Sequence, residues 1–213
     1  RIGLEPGKPF SLDAMEPAVQ QALQRVPVRA KERLDAYRPQ LFARVDGWQV
    51  ALDTGDLGTD YLRRAAVAAV AWPGWPAPQQ LLQMSTQVDA EGRALSGAHD
   101  YLLSFAKGRQ PPADAFWSLT LEADADGRRS FVANSADRIG LGSRDKLPVD
   151  ADGALALQLQ NLSPGLDHAT RWLPAPKGDF VLTLRLYAPR GTPPSALPPG
   201  QGSWSPPPVR RID

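Results

Sequence analysis

From about residue 79 onward the chain alternates apolar and polar residues, which is the period of β-strands that bury one face. In the clearest case, every second residue from Phe180 to Leu186 is apolar, whereas Arg185 falls on the opposite face. The six segments with this pattern are 81–88, 101–106, 116–123, 129–134, 154–161 and 179–187. Because turn-forming residues separate these segments, we predict a mainly β fold, an antiparallel β-sandwich that is jelly-roll-like.

The chain before this region follows helical spacing instead. Apolar residues at intervals of three and four predict one helix from Ser11 to Val26, which Pro27 is expected to end. The same spacing predicts a second short helix over 30–37 and a third helix over about 60–71. Three prolines within 72–78 cannot continue a helix, so they predict a rigid connector.

These two periods predict two parts. We expect residues 1–78 to form a helical extension or interdomain connector with a turn at Asp46-Gly47, and residues 79–213 to form the β-sandwich domain. The last 25 residues of the chain contain eight prolines. Since proline lacks the amide donor that a sheet ladder needs, this tail is expected to wrap the sandwich without joining it.

Composition and charge narrow the classes of protein. Hydrophobic residues make up 42% of the 213 residues, enough to build a core. The 24 basic side chains are balanced by 23 acidic ones, so the positive excess typical of a nucleic-acid-binding protein is absent. The longest apolar run, 65–72, is far shorter than the roughly 20 residues of a membrane-spanning helix. The chain has no cysteine and begins with neither Met nor a signal segment, so we expect a piece of a longer protein, with any export signal upstream.

Three acidic tetrapeptides, which begin at Asp89, Asp124 and Asp150, resemble parts of calcium-binding loops. Such a loop needs a bidentate glutamate at its twelfth position, where the second and third tetrapeptides have Ala133 and Leu159. We therefore predict that all three are turns between strands. With only two histidines in the chain, we predict no tight calcium or zinc site and no cofactor.

Polar and aromatic side chains within otherwise apolar strands are the candidate ligand-binding residues. They are Trp117, Thr120, Asn134, Arg138, Trp172, Arg185 and Tyr187. Burying an unpaired charge is costly, so Arg185 is predicted either to pair with a carboxylate, the alternative that we prefer, or to contact a ligand in a cleft. The tryptophans of the proline-rich segments, Trp72, Trp75 and Trp204, are candidates for stacking on a sugar.

Several phrases along the chain occur in a characteristic order. They are DAEGRALSG (89–97), YLLSF (101–105), PPADAFWSLTL (111–121), RWLPAP (171–176), LRLYAP (184–189) and WSPP (204–207). This succession resembles the family of domains of unknown function numbered 1214, which follows a domain of family 1254 in bacterial proteins that often carry export signals. The resemblance spans about 81–209 and implies a jelly-roll-like sandwich and a further N-terminal domain, without an established activity. The family pattern has Asn at the position of Arg171 and Tyr-Asp at Glu122-Ala123, so a cleft that used those groups would have changed its ligand or lost its activity here.

The fold, the neutral charge, the loop tryptophans and the resemblance favour a periplasmic or secreted accessory protein that binds a glycan, a small molecule or an envelope component. One alternative is a hydrolase or lyase acting on a polysaccharide or a small ester. In that case Arg138 or Arg185 would stabilise negative charge, and Glu122 or Asp100 would transfer protons. Another alternative is a structural role, in which this region packs on a further N-terminal domain or on a second copy in a homo-oligomer. A concave pocket with paired titratable groups would favour the enzyme, and an aromatic-lined face would favour binding.

Overall fold

The computed structural model describes residues 6–52, 54–70, 75–125 and 127–213. Its two α-helices are α1 (Pro17–Tyr37) and α2 (Tyr61–Val70), and short 3₁₀ segments lie at Arg38–Leu41 and Leu166–Arg171. The strands, in chain order, are β1 (Phe42–Val45), β2 (Trp48–Ala51), β3 (Leu81–Thr86), β4 (Tyr101–Phe105), β5 (Ala113–Ala125), β6 (Arg128–Ser130), β7 (Gly140–Gly142), β8 (Leu155–Gln160), β9 (Trp172–Pro174), β10 (Phe180–Pro189) and β11 (Arg210–Arg211).

These strands form two sheets. The larger sheet has the order β1-β2-β3-β10-β5-β6, with β7 paired to β5, and the smaller sheet has the order β11-β4-β8-β9. A mainly β fold with an N-terminal helix and antiparallel sheets is thus confirmed. The prediction that every strand is antiparallel to its neighbours is wrong at β9, which runs parallel to β8. A 3₁₀ segment, and not a tight hairpin, leads the chain from β8 to β9, so the chain can return to the sheet in the same direction.

Strand β10 lies inside the larger sheet, between β3 and β5. Its Leu184 is opposite Met84 on one side and Leu119 on the other, so these apolar side chains lie on the same face. This face and the apolar face of the smaller sheet share one hydrophobic core. The rings of Tyr101 and Phe180 meet edge to face between the sheets, with centroids 5.8 Å apart. The alternation that predicts the strand is therefore the alternation that builds the core.

A β-hairpin interrupts the segment that the sequence predicts to be helical. Residues 42–51 form β1 and β2, and β2 pairs with β3, so the region predicted as a helical extension or connector also contains two strands, which the sequence did not predict. Asp46 and Gly47 make the turn with φ angles of 49° and 84°, a region that glycine adopts freely and aspartate tolerates. Trp48 and Val50 then enter the core. Each strand has only four residues, too few for the alternation to stand out in the sequence.

The two short helices predicted on either side of Pro27 form a single helix, α1. Pro27 removes the donor for the Leu23 carbonyl, but no residue of α1 is buried, so water can satisfy that carbonyl. The third predicted helix is confirmed as α2, where the Arg63 amide donates to the Asp60 carboxylate at 3.0 Å. Its predicted last residue, Ala71, lies outside the described residues. Within the described ranges, neither helix has the length and the apolar character needed to cross a membrane.

The end of the proline-rich tail joins a sheet, so the prediction that the tail only wraps the sandwich is wrong at β11, which pairs with β4. Strand β11 follows the last proline, and its amides are therefore free to enter the ladder. Before β11, the tail borders the core, where the Trp48 indole donates to the Pro207 carbonyl at 2.8 Å. Trp204 is buried and donates to the Arg109 carbonyl at 2.8 Å, so its ring packs in the core and is not exposed to a sugar.

Asp89, the first of the three acidic turn residues, is a buried carboxylate that organises the turn after β3. It accepts hydrogen bonds from the backbone amides of Glu91 and Arg93 at 3.0 and 2.9 Å and from the Arg93 guanidinium at 2.8 Å. Burial raises the pKa of the Asp89 carboxyl, but these hydrogen bonds outweigh burial and hold the pKa below its ordinary value. Asp89 begins the phrase DAEGRALSG (89–97), and at the end of this phrase a Cβ on Gly97 would lie 1.5 Å from the Pro176 carbonyl oxygen. This phrase therefore serves the packing of the fold.

Asp89→Asn is expected to destabilise the fold near neutral pH by about 1–3 kcal/mol, because the amide replaces one acceptor oxygen by a donor. The folded pKa lies below the unfolded value, so the carboxylate stabilises the fold above about pH 4 and loses this effect as the pH falls through the folded pKa. Urea denaturation near pH 7 and near pH 3 measures both effects. Asp152→Asn is the control, because asparagine can still accept the hydrogen bond from the Ala154 amide. A deficit of Asp89→Asn that is as large near pH 3 as near pH 7 would contradict this account.

Candidate ligand-binding cleft

The outer face of the larger sheet carries a row of polar side chains. Cross-strand partners lie on the same face of a sheet, and the register places Arg44 opposite Gln49 and Gln49 opposite Ser85. On the other side of β3, Ser85 is opposite Thr183, which is opposite Thr120. The row therefore crosses the sheet from β1 to β5.

A cleft of about 730 Å³ lies between two walls. The sheet wall is the β1–β3 end of this row, and the helical wall is formed by α1, the 3₁₀ segment Arg38–Leu41, α2 and Trp75. A second hydrophobic cluster, in which Leu41, Ala66 and Val67 are buried, holds Phe42 and Trp75 at the helical wall. The sheet supplies the polar wall. Polar and aromatic residues that line the cleft are Asp35, Arg38, Phe42, Arg44, Gln49, Thr54, Trp75, Gln83, Ser85, Gln87, Asp124 and Arg129.

Several hydrogen-bonding groups of the sheet wall are not used within the fold. The amide oxygen of Gln83 accepts from Arg185 Nε at 3.0 Å, and its amide nitrogen donates to no described residue. The side chains of Gln49 and Ser85 also make no hydrogen bond within the described part of the chain. Gln87 donates to a neighbouring carboxylate at 2.8 Å and keeps its amide oxygen as an acceptor. The cleft thus presents both donors and acceptors.

Trp75 differs from three other tryptophans in how its indole is held. The indole N–H groups of Trp48, Trp172 and Trp204 each donate to a backbone carbonyl at 2.8–2.9 Å. The Nε1 of Trp75 is buried and has no partner among the described residues. An unpaired buried donor costs about 1–3 kcal/mol. Since this indole N–H bonds to no described residue, the half-buried ring is held at the wall of the cleft by its packing in the second hydrophobic cluster. Trp72, the other candidate from the same segment, lies outside the described residues.

Three of the predicted site residues, Thr120, Arg185 and Tyr187, lie on the outer face of the larger sheet. Arg185 Nη1 donates to Thr120 Oγ1 at 3.0 Å, and Arg185 pairs with no carboxylate among the described residues. The predicted ion pair is therefore wrong, because Nε and Nη1 of this guanidinium donate to neutral partners in the same sheet. Tyr187 stacks on Phe116 with ring centroids 4.1 Å apart. Arg185 meets the cleft only through Gln83, which lines it.

The other four predicted site residues lie away from the cleft. Trp117 and Trp172 are buried, with 3% and 5% of their surface exposed. Asn134 closes a loop by accepting from the Arg138 amide at 3.1 Å. Arg138 Nη1 donates to the carbonyls of Ala169 and Trp172 at 2.7 and 2.6 Å, which ties this loop to the 3₁₀ segment before β9. These contacts connect elements of the fold.

Sequence reasoning missed Gln49, Gln83, Ser85 and Gln87, which line the cleft. The last three fall on the polar side of the strand predicted at 81–88, so the alternation contained a signal. That signal did not identify a site, because polar residues on a strand usually face only solvent. Gln49 depended on a hairpin that the helical period did not predict.

Arg171, at which the chain departs from the family pattern, is buried against an acidic turn. Its Nη1 lies 2.5 Å from Asp150 Oδ1, and its Nη2 lies 3.4 Å from His168 Nδ1. Asp150 begins the third acidic tetrapeptide, so this turn supplies an ion-pair partner. Across the described ranges, no three His, Cys, Asp or Glu side chains are grouped so as to hold a metal ion.

A family model, described as a protein of unknown function (DUF1214), matches residues 80–191, more than half of the chain. The chain belongs to the DUF1214 family. The DUF1214 match begins just before β3 and includes β10, so it contains Gln83, Ser85 and Gln87 of the sheet wall. The β1–β2 hairpin and the helical wall precede the matched region.

Solved structures show what this DUF1214 chain is similar to. The VPA0106 protein from Vibrio parahaemolyticus matches all of the chain with a TM-score of 0.67 and 21% identity. An uncharacterized protein from Burkholderia cenocepacia matches 93% of it with a TM-score of 0.40 and 12% identity. The chain spans 49% of the first protein and 43% of the second, and the likeness to the first shows a shared fold alone. A comparison with curated proteins gives no match.

Arg185→Ala is expected to lower the free energy of unfolding by about 1–2 kcal/mol, because it removes two hydrogen bonds to neutral partners. Removing one partner of a buried ion pair would cost about 3–5 kcal/mol. Urea denaturation distinguishes the two values, with Arg190→Ala as a control at a solvent-exposed ion pair. A loss above about 3 kcal/mol would show that Arg185 has a charged partner and would contradict this assignment.

Proposed function

We propose that this DUF1214 chain is a carbohydrate-binding, jelly-roll-like β-sandwich of a periplasmic or secreted bacterial protein. Its ligand is a glycan or another saccharide-bearing envelope component, held in the cleft. One observation carries the proposal: the cleft combines unpaired amide and hydroxyl groups with the half-buried ring of Trp75. The resemblance to a family whose members often carry export signals supports the location.

The chemistry of sugars matches these two walls. A sugar ring has hydroxyl groups around its edge and C–H groups on its faces. The primary amides of Gln49 and Gln83 each contain donor and acceptor atoms, which suits neighbouring hydroxyl groups. Trp75 and Phe42 supply apolar ring surface for the C–H faces. A volume of about 730 Å³ falls within the range of small-ligand sites, roughly 300–1,000 Å³.

The carboxylates that line the cleft favour binding over catalysis. Asp35 lies 2.5 Å from Lys31 Nζ, and Asp124 accepts from Gln87 and from the Gly127 amide. A glycoside hydrolase needs carboxylates poised at the scissile bond, and a lyase needs a base in reach of a proton. Among the described residues, both carboxylates that line the cleft already have partners within the fold, so the hydrolase or lyase alternative has weaker support.

Isothermal titration of the chain with a panel of neutral and acidic oligosaccharides tests the proposal. Gln49→Ala is expected to weaken binding of the best ligand about fivefold to tenfold, because one hydrogen-bonding side chain is lost. The fold is expected to be unchanged, since the Gln49 side chain bonds to no described residue. Gln158→Ala is the matched control, because Gln158 is a half-buried glutamine of the smaller sheet.

Trp75→Ala is expected to weaken binding at least as much, and circular dichroism shows whether each variant is folded. This check matters for Trp75, whose ring packs with α2. Weak binding by Gln49→Ala together with full binding by Gln158→Ala would support the cleft. Equal binding by these two glutamine variants, or no binding of any oligosaccharide by the wild-type chain, would contradict the proposal.

A structural role is the second candidate, because α1 contains no buried residue. A shallow groove along α1 is lined by Ala22, Val26 and Ala30 among arginines, and Val26 is 52% exposed. If a second copy packs on this groove, sedimentation will show a dimer that Val26→Asp dissociates without changing saccharide binding. A chain that sediments as a monomer at every concentration would exclude the second copy.

A further inference from the structure

A recess beside the cleft is lined by two arginines and, among the described residues, by no acidic side chain. It has a volume of about 230 Å³ and shares Arg44, Gln49, Ser85, Gln87 and Arg129 with the cleft. The two arginines come from distant strands, since Arg44 lies on β1 and Arg129 on β6, at opposite ends of the sheet order. A side-chain hydrogen bond from Gln87 to a carboxylate of β5 joins the ends of β3 and β5 at this recess.

Neither arginine forms an ion pair within the described part of the chain. Arg44 is opposite Gln49 in its ladder. Arg129 is opposite Asp124, but both oxygens of that carboxylate have other donors. Oδ1 accepts from the Gly127 amide at 2.9 Å, and Oδ2 accepts from a glutamine amide at 2.8 Å. These donors are neutral, so Asp124 keeps its negative charge, but neither guanidinium bonds to a described residue and both can bind an anion.

Of the acidic residues in the adjoining turns, Asp89 forms an ion pair, whereas Asp46 has a neutral hydrogen-bond donor and keeps its negative charge. Asp46 Oδ2 accepts from the Ser205 hydroxyl at 3.1 Å, and Asp89 pairs with Arg93. Because the described lining of the recess holds two arginines and no acid, it carries a net positive charge, whereas the chain as a whole is almost neutral, with 24 basic against 23 acidic side chains.

We propose that this recess is an anion subsite of the cleft, and that the saccharide it takes is acidic, carrying a carboxylate or a sulfate. The inference rests on the proposed function, because it names the class of saccharide bound there. A planar guanidinium can donate two parallel hydrogen bonds to either group. The glutamine and serine side chains shared by the recess and the cleft place hydroxyl recognition next to charge recognition.

The two arginines are exposed to solvent, which limits how strongly each can favour an acidic saccharide over a neutral one. Exposed ion pairs are individually weak and are screened by salt. Two guanidinium groups at one anion are expected to give about tenfold discrimination, which falls as sodium chloride is added.

The test compares tetrasaccharides of galacturonate, mannuronate and guluronate with their carboxyl-reduced forms, which keep the linkages and lose the charge. Calorimetry is expected to show at least one acidic form bound about tenfold more tightly than its reduced form. Arg44→Gln and Arg129→Gln are each expected to weaken binding of the acidic form about threefold to tenfold and to weaken binding of the reduced form less, so that the preference for the acidic form falls. Arg128→Gln is the matched control, because this exposed neighbour on β6 does not line the recess.

A sulfated galactose tetrasaccharide and free inorganic sulfate distinguish the sources of negative charge. Preference for the sulfated sugar, lost in the same two variants, would support the subsite and identify a sulfate ester as the group bound. Competition by free sulfate at the affinity of the acidic sugar would show that the recess takes any anion, and would overturn the assignment of an acidic saccharide.

The failure of this inference differs from the failure of the proposed function. Equal binding of acidic and reduced tetrasaccharides, or equal losses in Arg44→Gln and Arg128→Gln, would overturn the subsite and leave the saccharide cleft in place. No binding of any tetrasaccharide, charged or neutral, would overturn the proposed function and this assignment with it.

Discussion

The pairing of β10 with β3 and β5 is the constraint on which the rest of the structure depends. Leu182 and Leu184 are fully buried in the shared core, so the residues that alternate with them along the strand must point to the other face. Burying such a side chain contributes roughly 1.5–3 kcal/mol, and a slip of one residue in the register would move all of them out of the shared core to the other face. The outer row that contains Thr183 and Arg185 is therefore fixed by the leucines behind it.

The cleft needs a second, smaller core. Leu41 and Val67 are buried together and hold Trp75 across from the sheet residues Gln49 and Ser85. The sheet wall is mostly inside the DUF1214 match, whereas the helical wall and the hairpin precede it. The segment before β3 is thus part of the candidate site, and a ligand in the cleft would contact both regions.

The residues that stand out in the sequence mostly serve the fold. Trp172 and Arg138 are conspicuous because they are polar or aromatic within apolar surroundings, yet each donates to backbone carbonyls. Asp89 is conspicuous in an acidic turn, and it is a buried acceptor for its own loop. Most buried polar atoms in proteins are paired, and backbone groups are their commonest partners. The glutamines of the cleft are ordinary residues of a polar strand face, and only the wall opposite them makes them a candidate site.

The sequence by itself determined the strands with a long alternation, the helix α2 and the turn at Asp46-Gly47, because periodicity and turn chemistry are local properties. The tertiary structure alone decided the β1–β2 hairpin, the short strands β9 and β11, and the meeting of Arg44 with Arg129 in one recess. A strand of two to four residues is too short to show a period, and its existence depends on a partner far away in the chain. In the same way, an arginine on a polar face shows nothing in its sequence neighbourhood of the charge or cavity that folding places opposite it.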